Sequence, residues 1–294
     1  MPVKTWSTPI VSEEKQSIPC VLCGSRSFKD SISCEGFSYV SCLSCGLVQM
    51  NPQPLEAEIK NRYCDKKNYL DYELANEEAF LKLQLLALND SGFFELEKQI
   101  LSKSSFDPSP NSPPRILDIG CATGSLLEYM KNRGWEVTGV EISASQAEYG
   151  KQKRKLDIRN LTLKENNFPF KNFNVVLASH LIEHLNDPAA LVKEVRRILS
   201  PQGRFFVTTP NIAGFQARLF KGRWRSAIFD HLFLFSVKTL SRLLLESGFL
   251  IEKVSTWGGL AQGIAPSLLK SVFDKAAKRF GFGDVMIIRA RNQP

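Results

Sequence analysis

Ile116-Leu117-Asp118-Ile119-Gly120-Cys121-Ala122-Thr123-Gly124 is the stretch that decides the fold. An apolar run closes on an acid, passes through a turn of small residues, and opens on the helix-forming Ser125-Leu126-Leu127. Small residues let the backbone approach a ligand closely, and a helix N-terminus offers unpaired N–H groups. Glu141 closes the next apolar run 23 residues after Asp118, where a carboxylate can accept hydrogen bonds from two ribose hydroxyls. Two parts of a nucleoside site are therefore in register.

Outward from this turn, short apolar runs alternate with amphipathic segments, the pattern of a layered parallel sheet. Strands are expected at Arg115 to Ile119, Glu136 to Glu141, Ile158 to Leu163, Asn174 to Ala178, Gly203 to Thr208, Leu250 to Thr256 and Val285 to Ala290. Helices are expected at Ser125 to Arg133, Ser145 to Lys155, Pro188 to Leu199 and Val237 to Ser247. The predicted fold is α/β: a Rossmann-like, seven-stranded, mostly parallel sheet with helices on both faces, spanning 115–294. Before it the sequence divides into a mobile N-terminus (1–17), a Cys-rich module (18–54), a helical connector or lid (55–103) and a Ser/Pro/Asn-rich linker (104–114).

A dinucleotide site shares much of the turn, but its fingerprint is Gly-x-Gly-x-x-Gly, with room for a pyrophosphate. Here the spacing is Gly120-x-Ala122-x-Gly124, and Asp118 places negative charge where a diphosphate is repelled and a cationic methionine amine or sulfonium is welcome. S-adenosylmethionine fits better than NAD. With Val140-Glu141, and Phe168-Pro169-Phe170 followed by Phe173-Asn174-Val175-Val176 and Ile182-Glu183-His184, the stretch resembles class I S-adenosylmethionine-dependent methyltransferases. The resemblance implies that Asp118, Gly120, Cys121, Ala122 and Gly124 surround the methionine moiety, that Glu141 holds the ribose, and that Leu163 and His180 border the cofactor. It leaves Leu163, Glu165 and Asn166 as alternatives for the adenine contact. Ala122 stands where the family has a glycine, and Asn174 where it has an aspartate.

All three histidines, His180, His184 and His231, fall in segments that follow the fourth and fifth strands, at the carboxyl edge where open parallel sheets bind ligands. Methyl transfer from a sulfonium asks the protein to position an acceptor and remove one proton. His231 is the first candidate for the general base, with His184, Glu183 and His180 as further catalytic candidates. His180, Glu183 and His184 share one face of a helical turn. The same His-x-x-Glu-His also matches one zinc-protease motif, though its surroundings fit a methyltransferase strand-to-helix junction. In ubiquinone-pathway O-methyltransferases the similar junction carries Glu-His and is associated with a divalent metal. Pro210-Asn211, Trp224-Arg225 and His231-Leu232 resemble the acceptor-covering segment of a broad bacterial group, with Trp224 either lining the pocket or lying in the core.

Cys20-x-x-Cys23, eighteen residues, then Cys42-x-x-Cys45 is the spacing of a four-thiolate zinc ribbon. Cys34, Cys64 and Cys121 fall outside the pattern. Cys45-Gly46-Leu47-Val48, Asn51-Pro52-Gln53-Pro54, Tyr63 and Tyr69 resemble the start of zinc-ribbon-bearing methyltransferases of bacterial polysaccharide and cell-surface sugar pathways. This resemblance runs from Cys20 through nearly the whole chain. It implies structural zinc, a small-molecule or saccharide acceptor, and a ribbon and Tyr-bearing helices that pack over the active site and help shape the acceptor pocket.

Composition bounds these readings. The chain has 294 residues, 43% of them hydrophobic, enough for one full core and one small module. No apolar run approaches the ~20 residues of a membrane span, and no export signal is evident, so a cytoplasmic protein with free or metal-bound thiols is expected. The formal charge of +8 keeps an RNA base methyltransferase as the competing function. Yet no Asn/Asp-Pro-Pro-Tyr follows the fourth strand, and no cysteine after Cys121 is available for covalent attack on a pyrimidine. A non-catalytic cofactor-binding interaction protein is the alternative of another class. Acceptor atom and oligomeric state are not written in the sequence.

Overall fold

The computed structural model describes residues 15–55, 58–59, 69–102, 112–258, 277–278 and 281–293. Residues 1–14, Tyr63, Cys64 and most of the expected linker lie outside these. The N-terminal module is a meander. Strands β2 (Phe28–Cys34) and β3 (Phe37–Cys42) form an antiparallel hairpin, β4 (Val48–Met50) adds to β3, and β1 (Lys15–Gln16) pairs with β5 (Gln53–Pro54). Two helices follow, α1 (Tyr69–Asp90) and α2 (Phe93–Ser102).

The large sheet contains the seven expected strands: β6 (Arg115–Ile119), β7 (Glu136–Val140), β8 (Asp157–Arg159), β9 (Phe173–Ser179), β10 (Leu199–Pro210), β12 (Phe249–Trp257) and β13 (Val285–Asn292). Their order is β12-β13-β10-β9-β6-β7-β8, parallel from β10 to β8, with β13 antiparallel to both neighbours. Helices α3 (Ser125–Lys131), α4 (Ala144–Arg154), α5 (Pro188–Ile198) and α7 (Val237–Glu246) occupy the expected gaps, and a short α6 (Phe215–Phe220) joins them. The third strand is shorter than its apolar run suggests. Asn160 leaves the ladder and donates its side-chain amide to the carbonyls of Glu141 (2.8 Å) and Ile142 (2.9 Å). The fifth is longer, because it is paired on both sides by β9 and β13.

The sheet separates two apolar layers. On one face Phe93, Leu96 and Ile100 of α2 pack with Trp135, Phe206 and Ile287. The other carries a continuous core that runs from Val192, Val195 and Leu240 through Phe233 and Phe235 into Tyr39, Leu47 and Met50 of the N-terminal module. The module is thus not a separate bead. A two-residue strand after the fifth sheet strand, β11 (Phe233–Leu234), pairs antiparallel with β4, Phe233 opposite Gln49 and Leu234 opposite Val48. This extends the meander to four strands in the order β11-β4-β3-β2. Each buried apolar side chain of this seam is worth roughly 1.5–3 kcal/mol over exposure, so the module and the sheet domain stabilise each other.

Candidate active site

Strand β6 is flanked by β7 and β9, so chain connections leave it in opposite directions and open a crevice at its carboxyl end. A cavity of about 1980 Å³ lies there. Its walls include Gly120, Ala122, Glu141 and Leu163 on one side and His180, His184 and His231 on the other. Asp118, Cys121, Gly124 and Glu183 are buried behind that wall rather than part of it.

The turn is held by its own backbone and by Glu141. Gly120 N–H donates to the Val140 carbonyl (2.8 Å), Ala122 N–H to Glu141 Oε2 (3.0 Å), and Ser143 N–H to Glu141 Oε1 (2.8 Å). Each carboxylate oxygen keeps a second lone pair for a ligand hydroxyl. Gly124 has φ 82°, a left-handed conformation that strains any side chain, and a Cβ there would press on Leu156 Cδ1 at 2.7 Å, so glycine is favoured. Ala122 also has positive φ, 50°, a left-handed conformation that its methyl makes costly by ~1–2 kcal/mol. Asn174, the departure from the family's aspartate, accepts the Arg115 N–H (2.8 Å) at the start of its strand.

Helix α1 closes this half of the site, which sequence periodicity could not reveal. Glu77 accepts from Thr123 Oγ1 and from Arg154 Nη2, both at 2.6 Å, pinning the helix to the turn. One helical turn earlier, Glu73 reaches the cavity wall with Tyr69 and Tyr72. Burial, then the neighbouring Glu77 and Glu141, raise the Glu73 carboxyl to about 7. Burial and Glu141 raise Asp118 to about 8. Of the adenine alternatives, Leu163 lines the cavity, whereas Glu165 accepts the Thr162 N–H (2.7 Å) and Asn166 donates to the Thr162 carbonyl (2.8 Å), both outside its wall.

The opposite half is built from distant segments. His180 follows β9 in a left-handed conformation (φ 51°), and its Nδ1 lies 3.2 Å from Glu183 Oε1. Glu183 and His184 sit on a single 3-10 turn, Ile182–His184. His184 Nδ1–H donates to the Asp230 carbonyl and His231 Nδ1–H to the Ser226 carbonyl, each at 2.8 Å. That leaves the His231 Nε2 as the nitrogen with the lone pair. The two rings meet edge to face with centroids 4.7 Å apart. Burial would raise the Glu183 carboxyl, but the His180 hydrogen bond and the nearby His184 outweigh it and hold it at about 2. Burial and His184 lower His231 to about 4. Glu183, His184 and His231 each offer a donor atom within 4.8 Å of the others. Trp224 does not line the cavity: it is buried, and its indole N–H donates to Asp284 Oδ1 (2.5 Å), while Asp284 Oδ2 accepts from Arg225 Nε (2.7 Å).

The segment carrying His231 rests on the Cys-rich module. Tyr39 shares its hydroxyl proton between the carbonyls of Ile228 (2.7 Å) and His231 (2.8 Å). Met50 N–H donates to the Leu232 carbonyl and Leu232 N–H to the Glu183 carbonyl, each at 2.8 Å. In the module itself the four thiols of Cys20, Cys23, Cys42 and Cys45 lie within 4.8 Å of one another. The pairs Cys20–Cys45 and Cys23–Cys42 are 3.4 and 3.5 Å apart. A tetrahedron of Zn–S bonds of ~2.3 Å has edges of roughly 3.8 Å, so the cluster fits zinc. Burial raises the thiols of Cys20 and Cys45, whereas at Cys42 the backbone amides of Cys45 and Ser44 outweigh burial and lower it. Cys34 lies apart, its thiol 3.8 Å from the Gly222 and Ala227 carbonyls.

Comparison with known proteins agrees with this geometry. Residues 94–254 match the family described as a methyltransferase domain. Among curated proteins, the ubiquinone biosynthesis O-methyltransferase of Aeromonas salmonicida is 32% identical over 103 residues, 33% of this chain and 43% of that protein. That of Bradyrhizobium diazoefficiens is 34% identical over 102 residues, 33% of this chain and 40% of that protein. The chain spans less than half the length of these relatives. Among solved structures, a complex of a methyltransferase activator and a methyltransferase from Haloferax volcanii superposes with TM-score 0.53 and 14% identity, over 76% of this chain and 98% of that one. The geranyl diphosphate C-methyltransferase of Streptomyces coelicolor, solved with Mg2+, geranyl diphosphate and S-adenosyl-L-homocysteine, gives 0.51 and 16%, over 78% and 86%. These two share the fold. With the match covering more than half of the sequence, the chain belongs to the methyltransferase-domain family.

Proposed function

We propose that the protein is an S-adenosylmethionine-dependent methyltransferase that methylates a small-molecule acceptor, with a hydroxyl as the methylated group. The observation that carries this reading is that one cavity joins the Gly120–Ala122–Glu141 wall to the His184–His231 pair. Bound S-adenosylmethionine supplies an electrophilic methyl group on a sulfonium sulfur. Glu141 holds the ribose, Gly120 and Ala122 shape the methionine wall, and Asp118 and Glu73 answer the ligand's positive charge. His231, neutral and with its Nδ1 proton committed to Ser226, takes the acceptor proton at Nε2. Glu183, ionised behind the pair, stabilises the imidazolium that results. His180 orients Glu183. The four cysteines hold structural zinc.

The relatives' names support oxygen as the methylated atom, and the sequence resemblance to sugar-pathway enzymes supports a saccharide as one acceptor class. The cavity walls carry Tyr72, Phe80 and Trp257 for stacking beside polar Asn186 and Arg225, groups that can hold a cyclic small-molecule acceptor. Transfer of labelled methyl from S-adenosylmethionine to small-molecule and saccharide fractions tests the proposal. Bound cofactor with no transfer to any fraction leaves a binding protein instead. Transfer to RNA, with affinity falling steeply in salt, selects the competing substrate class. A second reading rests on the 4.8 Å spacing of Glu183, His184 and His231, which also suits a divalent cation. Metal analysis of wild type and His184→Gln decides it: a second ion per chain, lost in the variant, establishes the site.

A further inference from the structure

We propose that Gln146 reads the nucleobase of the methyl donor by donating a side-chain amide hydrogen bond to a ring nitrogen of adenine. The inference rests on the donor assignment above. Gln146 is the third residue of α4, five positions beyond Glu141, and lines the cavity with Glu141, Ile142, Thr162 and Leu163. Its side chain is 1% exposed, yet its Nε2 has no hydrogen-bond partner among the described residues. Buried amide hydrogens are almost always paired, so one left over at the wall of a ligand cavity points to the ligand.

The surroundings narrow the partner. The carbonyls of Glu141 and Ile142 are already taken by Asn160, and the Thr162 carbonyl by Asn166. With Glu141 on the ribose, the base must lie along the wall between Ile142 and Leu163, beside Gln146. An amide N–H needs an acceptor, and the unprotonated ring nitrogens of adenine supply one. A base bearing hydrogen at that ring position would set two donors against each other, which gives this residue a role in donor specificity.

Isothermal titration of S-adenosylhomocysteine and its 1-deaza, 3-deaza and 7-deaza analogues, against wild type and Gln146→Leu, tests the assignment without requiring an acceptor. For wild type, one of the three analogues, in which a C–H replaces the accepting nitrogen, should bind about 10-fold more weakly than the parent compound. For Gln146→Leu, that analogue and the parent should bind equally. Gln146→Met, which keeps the side chain's length without its donor, should repeat the result and guards against a packing defect in the leucine variant. If all three analogues bind wild type within about twofold of the parent, or the loss persists undiminished in both variants, the assignment is overturned. Failure of the parent compound itself to bind wild type would instead overturn the donor reading.

Discussion

The two halves of the cavity are prepared in opposite electrostatic senses. On the donor side Asp118 and Glu73 are raised to about 8 and 7, so both carry substantial protonated populations at neutral pH. Across the cavity Glu183 is held at about 2 and His231 at about 4, so the acid is ionised and the imidazole neutral. A half that holds protons gains from a cationic ligand, which favours the ionised carboxylates. A half that has shed its protons is ready to receive one. The halves also differ in construction. The donor turn is closed by hydrogen bonds of Gly120, Ala122 and Ser143 to Val140 and Glu141, all within one β-α-β unit, whereas the acceptor wall depends on Tyr39 and β4, nearly two hundred residues from His231.

Removing the proposed zinc should break this comparison most sharply. Zinc-ribbon folding is driven by metal binding, so Cys20→Ser with Cys42→Ser, or chelation, should unfold the β2–β4 meander and release β11. Methyl transfer should fall by about 10³-fold or more, while donor affinity, measured by calorimetry, changes by less than about threefold. Equal losses in both would show that the module supports the whole chain rather than one half of the site.

His231→Ala removes the proposed proton acceptor and leaves the scaffold. A loss of about 10²–10⁴-fold in kcat is expected, with donor affinity unchanged. The pH profile adds a sign. The base must be unprotonated, so the rate should fall as pH drops through about 4 rather than near the ordinary histidine value. His184 is one of the charges that lower His231, so His184→Gln should move this acid limb upward. A limb that stays in place in His184→Gln, or a His231→Ala enzyme within tenfold of wild type, would remove His231 from the mechanism.

How much of this was legible in the sequence follows the same division. Strand β6, its turn and Glu141 are read directly because their partners lie within one β-α-β unit, where hydrophobic period and turn residues fix the geometry. The four cysteines are legible because each pair sits on one short turn. The support of His231 by Tyr39 was not, since nothing in Phe37-Ser38-Tyr39 announces a partner in the distant segment 228–231. Strand β11 escaped for a related reason: Phe233-Leu234 is too short to show a period. Trp224 shows the limit of residue type, since an aromatic near a pocket can face it or, as here, bind a buried carboxylate behind it. Helix α1 was legible as a helix from its leucines, but its role through Glu77 and Glu73 depends on a docking contact that periodicity does not encode.

Donor-side changes should have smaller and complementary effects. Glu141→Ala removes the proposed ribose carboxylate and frees the Ala122 and Ser143 amides it accepts. Donor affinity should fall by about 10–100-fold, with kcat at saturating donor falling much less. Because a cation binds better to ionised acids, donor affinity should rise between pH 6 and 9 with release of protons. Asp118→Asn should flatten the upper part of that rise. Affinity that is independent of pH in wild type would separate both acids from the donor's charge.

The smallest effect is the most discriminating, because it crosses between the regions through a single hydroxyl. Tyr39→Phe keeps the buried ring and removes only the proton shared by the Ile228 and His231 carbonyls. Both carbonyls would lose a buried donor, a cost of roughly 1–3 kcal/mol, part of which local relaxation can recover. If the module merely adds stability, the variant should melt a few degrees lower and otherwise turn over normally. If it sets the position of His231, kcat should drop by about 3–10-fold at temperatures well below the melting transition, with donor affinity unchanged and the acid limb of the pH profile displaced. Small displacements of a proton acceptor are costly because transfer depends on hydrogen-bond reach. A ribbon that stabilises and a ribbon that positions therefore differ in kcat, not in melting temperature.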